Sequence, residues 1–268
     1  MNYHSDQWIM DRVREHYNEA LEHFSEDRIV CLVLQGSQNY GLDTPNSDVD
    51  TKLIVCPTFK DIALNKQPIS TTHVRADNSH IDFKDVRLYC ATFKKQNLNF
   101  LEILFSSYAI VNPMYKAEWD RLVATREAIT HYDPVRAIKS MQGVAYTKYK
   151  QLENESPSHM EAIEKFGYSP KELHHLLRIE EYIHRYINGE SYNECLKSNK
   201  VMYLKDVKRG YYNLDTARQV ATKAIDNIDN MCYEYLQTCS HEVDESVNEL
   251  LDDVQYNIMK IAIEKEIG

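Results

Sequence analysis

The segment RIVCLVLQ at residues 28–35 constrains the fold most strongly. It is β-branched and continuously apolar, which is typical of a strand buried on both faces. Such a strand needs neighbouring strands and covering helices. VDTKLIVCP at residues 49–57 predicts a second strand, and the alternation in HIDFKDV at residues 80–86 predicts a third.

Helical periodicity dominates much of the remaining chain. Apolar residues spaced three and four apart predict an amphipathic helix over residues 5–25. Beyond Pro134 the pattern is almost wholly helical, with helices expected near residues 134–153, 159–166, 170–188, 215–239 and 243–266. We therefore predict an α+β protein. A mixed β-sheet with flanking helices is expected over residues 1–130, followed by an all-helical domain with acidic C-terminal helices over residues 131–268.

Composition and charge limit the functional classes. The 268 residues are 43% hydrophobic and 27% charged, as in soluble globular proteins. No secretory leader pattern and no run of 18 apolar residues is present, so we expect a cytoplasmic protein without a membrane segment. Six scattered cysteines without a C-x-x-C pair indicate buried thiols. The net charge of −10 is concentrated after Asp226, so basic patches elsewhere remain compatible with an anionic partner.

A turn-rich stretch, QGSQNYGLDTPNSDVDT at residues 35–51, joins the first two strands. Gly36 lets backbone amides approach a ligand and Ser37 adds a hydroxyl, so the pair is a candidate phosphate cradle. Asp48 and Asp50 are two residues apart at the start of a strand and are expected to share one face. Their mutual repulsion favours a hard cation between them, such as Mg²⁺ or Mn²⁺.

Phosphoryl chemistry often uses two metal ions, and a third carboxylate would complete such a site. Asp82 fits best because it lies on the next predicted strand between two apolar residues. Asp85 is the alternative.

The combination of G-S, then D-x-D, then an aspartate between apolar residues resembles the DNA polymerase beta-like nucleotidyltransferase superfamily. The string GSQNYGLDTPNSDVD is similar to one branch of it, the RNA-repair-associated (RlaP-type) predicted nucleotidyltransferases. NLNFLEILFS, GYSPKELHHLLRIEEY and LKDVKRGYYNLDTA extend the resemblance over roughly residues 28–225. The acidic residues beyond 225 lie outside it.

The resemblance implies a nucleotidyltransferase-like sheet and an enzyme that transfers NMP from an NTP to an acceptor hydroxyl, releasing pyrophosphate. An RNA end is the preferred acceptor in that context. The resemblance assigns the nucleotide to Gly36, Ser37 and Ser47, the metal ions to Asp48 and Asp50, and activation of the acceptor hydroxyl to Asp82.

The helical half contains two further candidate groups. Lys171, His175 and Arg178 are spaced four and three apart, so they share one helix face and are expected to contact nucleotide or acceptor; a solvated charged face is the alternative. A cluster of cations and tyrosines combines phosphate-binding and stacking side chains, and either guides RNA or is an ordinary surface. Its members are Lys197, Lys200, Tyr203, Lys205, Lys208, Arg209, Tyr211 and Tyr212.

Other functions remain open from the sequence. The acceptor can be a protein hydroxyl or a small molecule. The chain can also be a non-catalytic nucleotide- or RNA-binding module whose acidic tail contacts a protein partner or covers the site. The spacing of Arg178 and His184 resembles that of HEPN-type ribonucleases, although so loose a pattern often arises by chance.

Overall fold

The computed structural model describes residues 2–157 and 159–268. The chain forms two compact units: Met1–Tyr132 with Val243–Gly268, and Asp133–Glu242. The sequence-based boundary at residue 130 lies next to this division. However, residues 243–268, which were expected in the helical domain, pack with the first unit. An amphipathic pattern shows that a helix has a buried face but does not identify the core it meets.

Five strands form the sheet of the first unit. They are β1 (Ile29–Gln35), β2 (Asp50–Val55), β3 (Ser70–Val74), β4 (His80–Asp85) and β5 (Ala109–Val111). Their order across the sheet is β3-β4-β2-β1-β5. The β2/β4 pair is parallel and the other neighbouring pairs are antiparallel. The strands predicted at residues 28–35, 49–57 and 80–86 correspond to β1, β2 and β4.

Helices make up most of the remaining chain. In the first unit they begin with α1 (Asp6–His23), α2 (Phe59–Ala63), α3 (Val86–Lys94), α4 (Leu98–Leu101), α5 (Lys116–Ala124) and α6 (Arg126–His131). The second unit contains α7 (Pro134–Gln151), α8 (Met160–Phe166), α9 (Pro170–Ile187), α10 (Tyr192–Leu196), α11 (Val201–Lys208) and α12 (Leu214–Thr238). The chain ends with α13 (Glu245–Ile267). This arrangement confirms the expected α+β class, a mixed sheet with flanking helices and a helical part.

Alternation along the strands divides the sheet into an apolar and a polar face. Ile9 and Val13 of α1 pack against Leu53 of β2 and Ile81 of β4 on the apolar face. Side chains two apart point the same way, so the intervening residues of β2 and β4 lie on the opposite face. Apart from the buried Ile54, these residues are polar: Asp50, Lys52, His80, Asp82 and Lys84. The site described below lies on this polar face.

The last part of the acidic region, residues 243–268, is an integral part of the first unit. Helix α13 buries Val247, Leu251, Val254, Ile258 and Ala262, and it packs against α3 and α5. Asp252 forms an ion pair with Lys94 on α3, and Asp253 forms one with Arg121 on α5. Where the segment begins, the Asp244 amide donates to the Tyr132 carbonyl at 3.0 Å. A helix with these contacts is a structural element of the first unit.

Among the helices of the described residues, none has the length and apolar character needed to cross a bilayer. None of the six cysteines, all of which lie in the described part of the chain, forms a disulfide; five are buried and Cys239 is partly exposed. The prediction of buried thiols therefore holds for five of the six.

Candidate metal and nucleotide site

The chain leaves β1 through a backbone conformation that only glycine adopts readily. Gly36 has φ +101° and ψ −159°, and it precedes a short 3₁₀ helix over Ser37–Tyr40. The Ser37 hydroxyl has no hydrogen-bond partner among the residues that the structure describes. Gln38 is buried and donates from Nε2 to the Asp48 carbonyl at 2.6 Å. The glycine turn therefore places Ser37 beside the loop that carries the aspartates.

Gly36→Ala is expected to destabilise the protein by about 1–3 kcal/mol, because alanine strongly disfavours this backbone conformation. Steric collision is not the cause, since an added Cβ would meet only Gln38 Oε1, at 3.9 Å. Calorimetric unfolding measures the loss. Gly143→Ala is the matched control: Gly143 is helical, and an added Cβ there has no neighbour within 4 Å. Equal melting temperatures for Gly36→Ala and the unmodified protein would contradict the prediction.

Asp48, Asp50 and His80 form a compact group at one edge of the sheet. One potential ligand atom from each residue lies within 4.8 Å of those of the other two. The parallel register of β2 and β4 pairs Thr51 with Ile81, which brings the preceding residues, Asp50 and His80, side by side. The end of β1 reaches the same edge because Gln35 pairs with Asp50. Gly36, Ser37 and the group therefore share one sheet edge.

The hydrogen bonds of Asp50 define the state of the neighbouring histidine. Asp50 Oδ1 accepts the His80 backbone amide at 2.8 Å and lies 3.0 Å from His80 Nδ1. An ionised carboxylate only accepts, so Nδ1 carries the proton and the Nε2 lone pair is left for a ligand or a proton. Burial and the Asp48 charge raise the pKa of Asp50, against the opposing hydrogen bonds from His80.

Two carboxylates and one imidazole nitrogen suit a divalent cation. A cation there would relieve the repulsion from Asp48, which adds to the effect of burial in raising the pKa of Asp50. The donor set therefore fits a divalent metal ion.

Sequence reasoning did not identify His80. It lies two residues before the predicted Asp82, but only the register of the parallel strands shows that it faces Asp50.

Arg12 was also not identified from the sequence. It lines a cavity of about 300 Å³ together with Ser47 and Asp48, and it pairs with Asp77. Ser47 lies in the loop, where its hydroxyl accepts the Thr44 amide at 2.9 Å.

The two candidates for a third carboxylate lie elsewhere. Asp82 is paired with Lys52, whose Nζ lies 3.0 Å away, and it accepts the Thr72 hydroxyl at 2.6 Å. Burial opposes ionisation of Asp82, but Lys52 and Thr72 hold its pKa below the usual range. Asp85 is buried at the other end of β4, where it caps α3 and pairs with Arg87. Neither belongs to the group of Asp48, Asp50 and His80, and Asp85 has a structural role.

A buried histidine supports the strands that carry the group. His16 of α1 is fully buried, with Nδ1 2.9 Å from the Thr51 hydroxyl and Nε2 3.2 Å from the Ser79 hydroxyl. Thr51 follows Asp50 and Ser79 precedes His80, so this contact ties together the two strand ends. Burial, helped by Arg75 and Arg12, lowers the pKa of His16 to about 4.

Stability of the first unit is expected to fall as the pH drops from 6.5 towards 4. In this interval the unfolded chain protonates His16, whereas the folded protein keeps it neutral. The difference between the pKa of His16 in the unfolded chain and in the folded protein corresponds to about 3 kcal/mol of unfolding free energy. Urea unfolding followed by tryptophan fluorescence isolates the unit, because Trp8 and Trp119 both belong to it.

His16→Gln is the comparison variant, since glutamine can bond to both hydroxyls but does not titrate. Its stability should depend less steeply on pH over this interval. Equal pH dependence in the two proteins would contradict the role given to His16.

The candidates of the helical half lie on α9 in the second unit. Lys171 is exposed, whereas His175 and Arg178 are partly buried. Burial lowers the pKa of His175 well below its usual value, with smaller contributions from His174, Lys148, Arg178 and Lys171. His175 is therefore a neutral side chain near three cations. Contact of these three residues with nucleotide stays a prediction.

The remaining helical patterns give less support to a function. Arg178 and His184 are six residues apart, which corresponds to about 120° around a helix, so they do not share a face. The cluster of lysines and tyrosines contains an internal pair, with the Tyr203 and Tyr212 hydroxyls 3.0 Å apart. Lys197 is paired with Glu194, and Arg209 with Asp206. Part of the cluster's positive charge is thus neutralised within the unit.

Comparison with known proteins gives a distant structural similarity. No family model matches the chain, and no curated protein is significantly similar to it. Among solved structures, the chain is similar to a nucleotidyltransferase-like protein from Exiguobacterium sibiricum 255-15, with 10% sequence identity and a TM-score of 0.33. The match covers 94% of this chain and 89% of that chain. Similarity at this level does not establish an activity.

Proposed function

We propose that the protein is a metal-dependent nucleotidyltransferase that transfers NMP from an NTP to an acceptor hydroxyl. The observation that carries the proposal is the edge shared by the Gly36 turn and the group of Asp48, Asp50 and His80. A phosphate cradle and a cation site at one edge are the two elements that phosphoryl transfer requires. The motif resemblance over residues 28–225 supports the same reaction.

Each residue of the site has a proposed role. Asp48 and Asp50 hold the metal ion, Mg²⁺ or Mn²⁺, and Gly36, Ser37 and Ser47 bind the triphosphate. Further proposed contacts with the nucleotide are Lys171, His175 and Arg178. A divalent ion bound here supplies positive charge for the oxygens around the reacting phosphorus.

The reaction requires a base that takes the proton from the acceptor hydroxyl. The acceptor oxygen forms a bond to the α-phosphorus, the bond to the bridging oxygen breaks, and pyrophosphate leaves. The hydroxyl proton passes to a base. Asp82 was the sequence-based candidate, but its carboxylate is bound to Lys52 and Thr72. We therefore favour His80 Nε2, either as this base or as the third metal ligand.

The test is transfer of label from each α-labelled NTP in the presence of Mg²⁺ or Mn²⁺. Cellular RNA and protein extract serve as acceptors, and an Asp48→Ala, Asp50→Ala double variant is the control. Label that appears only with the unmodified protein supports the proposal. Sensitivity of the product to nuclease or to protease distinguishes an RNA end, the preferred acceptor, from a protein.

Absence of transfer with every nucleotide and metal would contradict the proposal. If nucleotide then still raised the melting temperature, a non-catalytic binding module would be the better interpretation. His80 and Asp82 are the two candidates for the base or third metal ligand, and the variants His80→Ala and Asp82→Asn distinguish them. Transfer should be lost in His80→Ala and largely retained in Asp82→Asn.

A further inference from the structure

A second polar cavity lies on the same face of the sheet as the proposed metal site. It has a volume of about 220 Å³ and is lined by β3, β4 and the ring of Phe100. Its polar lining includes Ser70, Thr72, Asp82 and Lys84. None of these residues belongs to the group of Asp48, Asp50 and His80.

Lys84 lines this cavity, and a second lysine, Lys52, lies against the same Phe100 ring. Lys52 is only 3% exposed, and its Nζ lies 4.1 Å from the centroid of the Phe100 ring. Lys84 is half-buried, and its Nζ lies at the same distance from that centroid. Asp82 pairs with Lys52, whereas no carboxylate forms an ion pair with Lys84 in the described part of the chain. Because Lys52 offsets the charge of Asp82, the ammonium of Lys84 is left as excess positive charge at the cavity.

The state of Lys84 indicates that the excess charge is costly without a ligand. Burial lowers its pKa, and the neighbouring Lys52 lowers it further, while Asp82 opposes the change. The Phe100 ring contributes only a weak cation–π attraction. An anion bound between the ammonium of Lys84 and the hydroxyl of Ser70, which pairs with Lys84 across β3 and β4, would remove this penalty. A phosphate oxygen fits because it accepts several hydrogen bonds and carries charge.

The order of the strands separates this cavity from the proposed NTP cradle. Gly36 and Ser37 follow β1, on one side of β2, while Lys84 and Thr72 lie on β4 and β3, on the other side. Asp50 and His80 lie between them, at the strand ends. Lys84 is four residues along β4 from His80, a distance of about 13 Å. This is comparable with the length of two nucleotides.

We propose that the cavity between Lys84, Ser70 and Phe100 binds a backbone phosphate of an oligonucleotide acceptor, about two nucleotides from its reacting hydroxyl. The role of the oligonucleotide as the acceptor rests on the proposed transferase function. The phosphate site itself rests on the cavity and its unpaired cation. Phosphate recognition here would select nucleic-acid ends over acceptors without phosphate.

Binding of a fluorescent hexaribonucleotide tests the site without requiring catalysis. Fluorescence anisotropy is measured over a series of salt concentrations for the unmodified protein, Lys84→Gln and Lys60→Gln. Lys60 is exposed on α2, which follows the opposite end of β2, so its replacement makes the same charge change away from the cavity. Titration with ATP and Mn²⁺ reports the nucleotide site separately.

Lys84→Gln should weaken hexanucleotide binding about tenfold, since one charge-assisted phosphate contact is lost. The slope of log affinity against log salt should also decrease by about 0.7. Lys60→Gln should match the unmodified protein, and ATP binding should be the same in all three.

Equal hexanucleotide affinity and salt slope in Lys84→Gln and the unmodified protein would overturn the proposal. So would a lack of binding by the unmodified protein at low salt. Loss of ATP affinity alone would assign the cavity to the NTP and also overturn it. If Lys84→Gln behaves as expected but no label is ever transferred, the phosphate site stands and the transferase function fails.

Discussion

Asp50→Asn is expected to reduce nucleotidyl transfer by about a thousandfold, as for loss of a central electrostatic contact in a phosphoryl-transfer site. The amide cannot supply the charge that the cation requires. It can still accept the hydrogen bonds from His80, so the geometry of the strand ends should persist. Transfer from an α-labelled NTP measures the loss.

The same replacement should raise the melting temperature of the metal-free protein. In the folded state, burial and Asp48 raise the pKa of Asp50, which means that its ionised form is disfavoured there. A neutral amide removes that penalty at neutral pH. Mn²⁺ should then no longer stabilise the variant as it stabilises the unmodified protein.

Asp120→Asn on α5 is a matched control, because Asp120 is exposed and belongs to the same unit. It should alter neither transfer nor the effect of Mn²⁺. Retention of transfer by Asp50→Asn would remove Asp50 from the mechanism. A lower melting temperature of the metal-free variant would instead indicate that Asp50 stabilises the fold.

Removal of α13 by ending the chain at Glu242 is expected to unfold the first unit. Four large apolar side chains of α13 are buried: Val247, Leu251, Val254 and Ile258. Their burial contributes about 6 kcal/mol or more, which is comparable with the whole stability of a typical domain. The emission of Trp8 and Trp119 should therefore resemble that of the denatured protein.

Point variants of α13 test the prediction without deleting the helix. Leu251→Ala should cost about 2–5 kcal/mol in urea unfolding, and Glu249→Ala at an exposed position should change little. Higher transfer activity after truncation would instead support the hypothesis that the tail inhibits the site. The contacts of α13 argue against that, because Glu266 accepts the Phe59 amide beyond the far end of β2.

Sequence patterns predicted the parts of the fold that have a strong apolar signature. Strands β1, β2 and β4 and the long helices were predicted near their observed bounds. Strand β3 was not, because Ser70–Val74 is a largely exposed edge strand without an apolar face. The three-residue β5 is too short to show a period.

The candidate site was predictable only in part for a similar reason. Gly36, Ser37, Asp48 and Asp50 lie in one continuous stretch, where local spacing carries the information. The partner of Asp50 comes from another strand, and a shift in register by two residues decides between His80 and Asp82. Only the assembled sheet shows that Asp82 is opposite Lys52.

The hydrogen bond between Asp244 and Tyr132 has a consequence for the order of folding during synthesis. It closes a unit whose final helix is synthesised after the whole of the second unit. Residues 133–242 are complete earlier, so the second unit folds while the sheet still lacks α13. A ribosome stalled within α13 should therefore carry a folded second unit and an open, chaperone-accessible first unit.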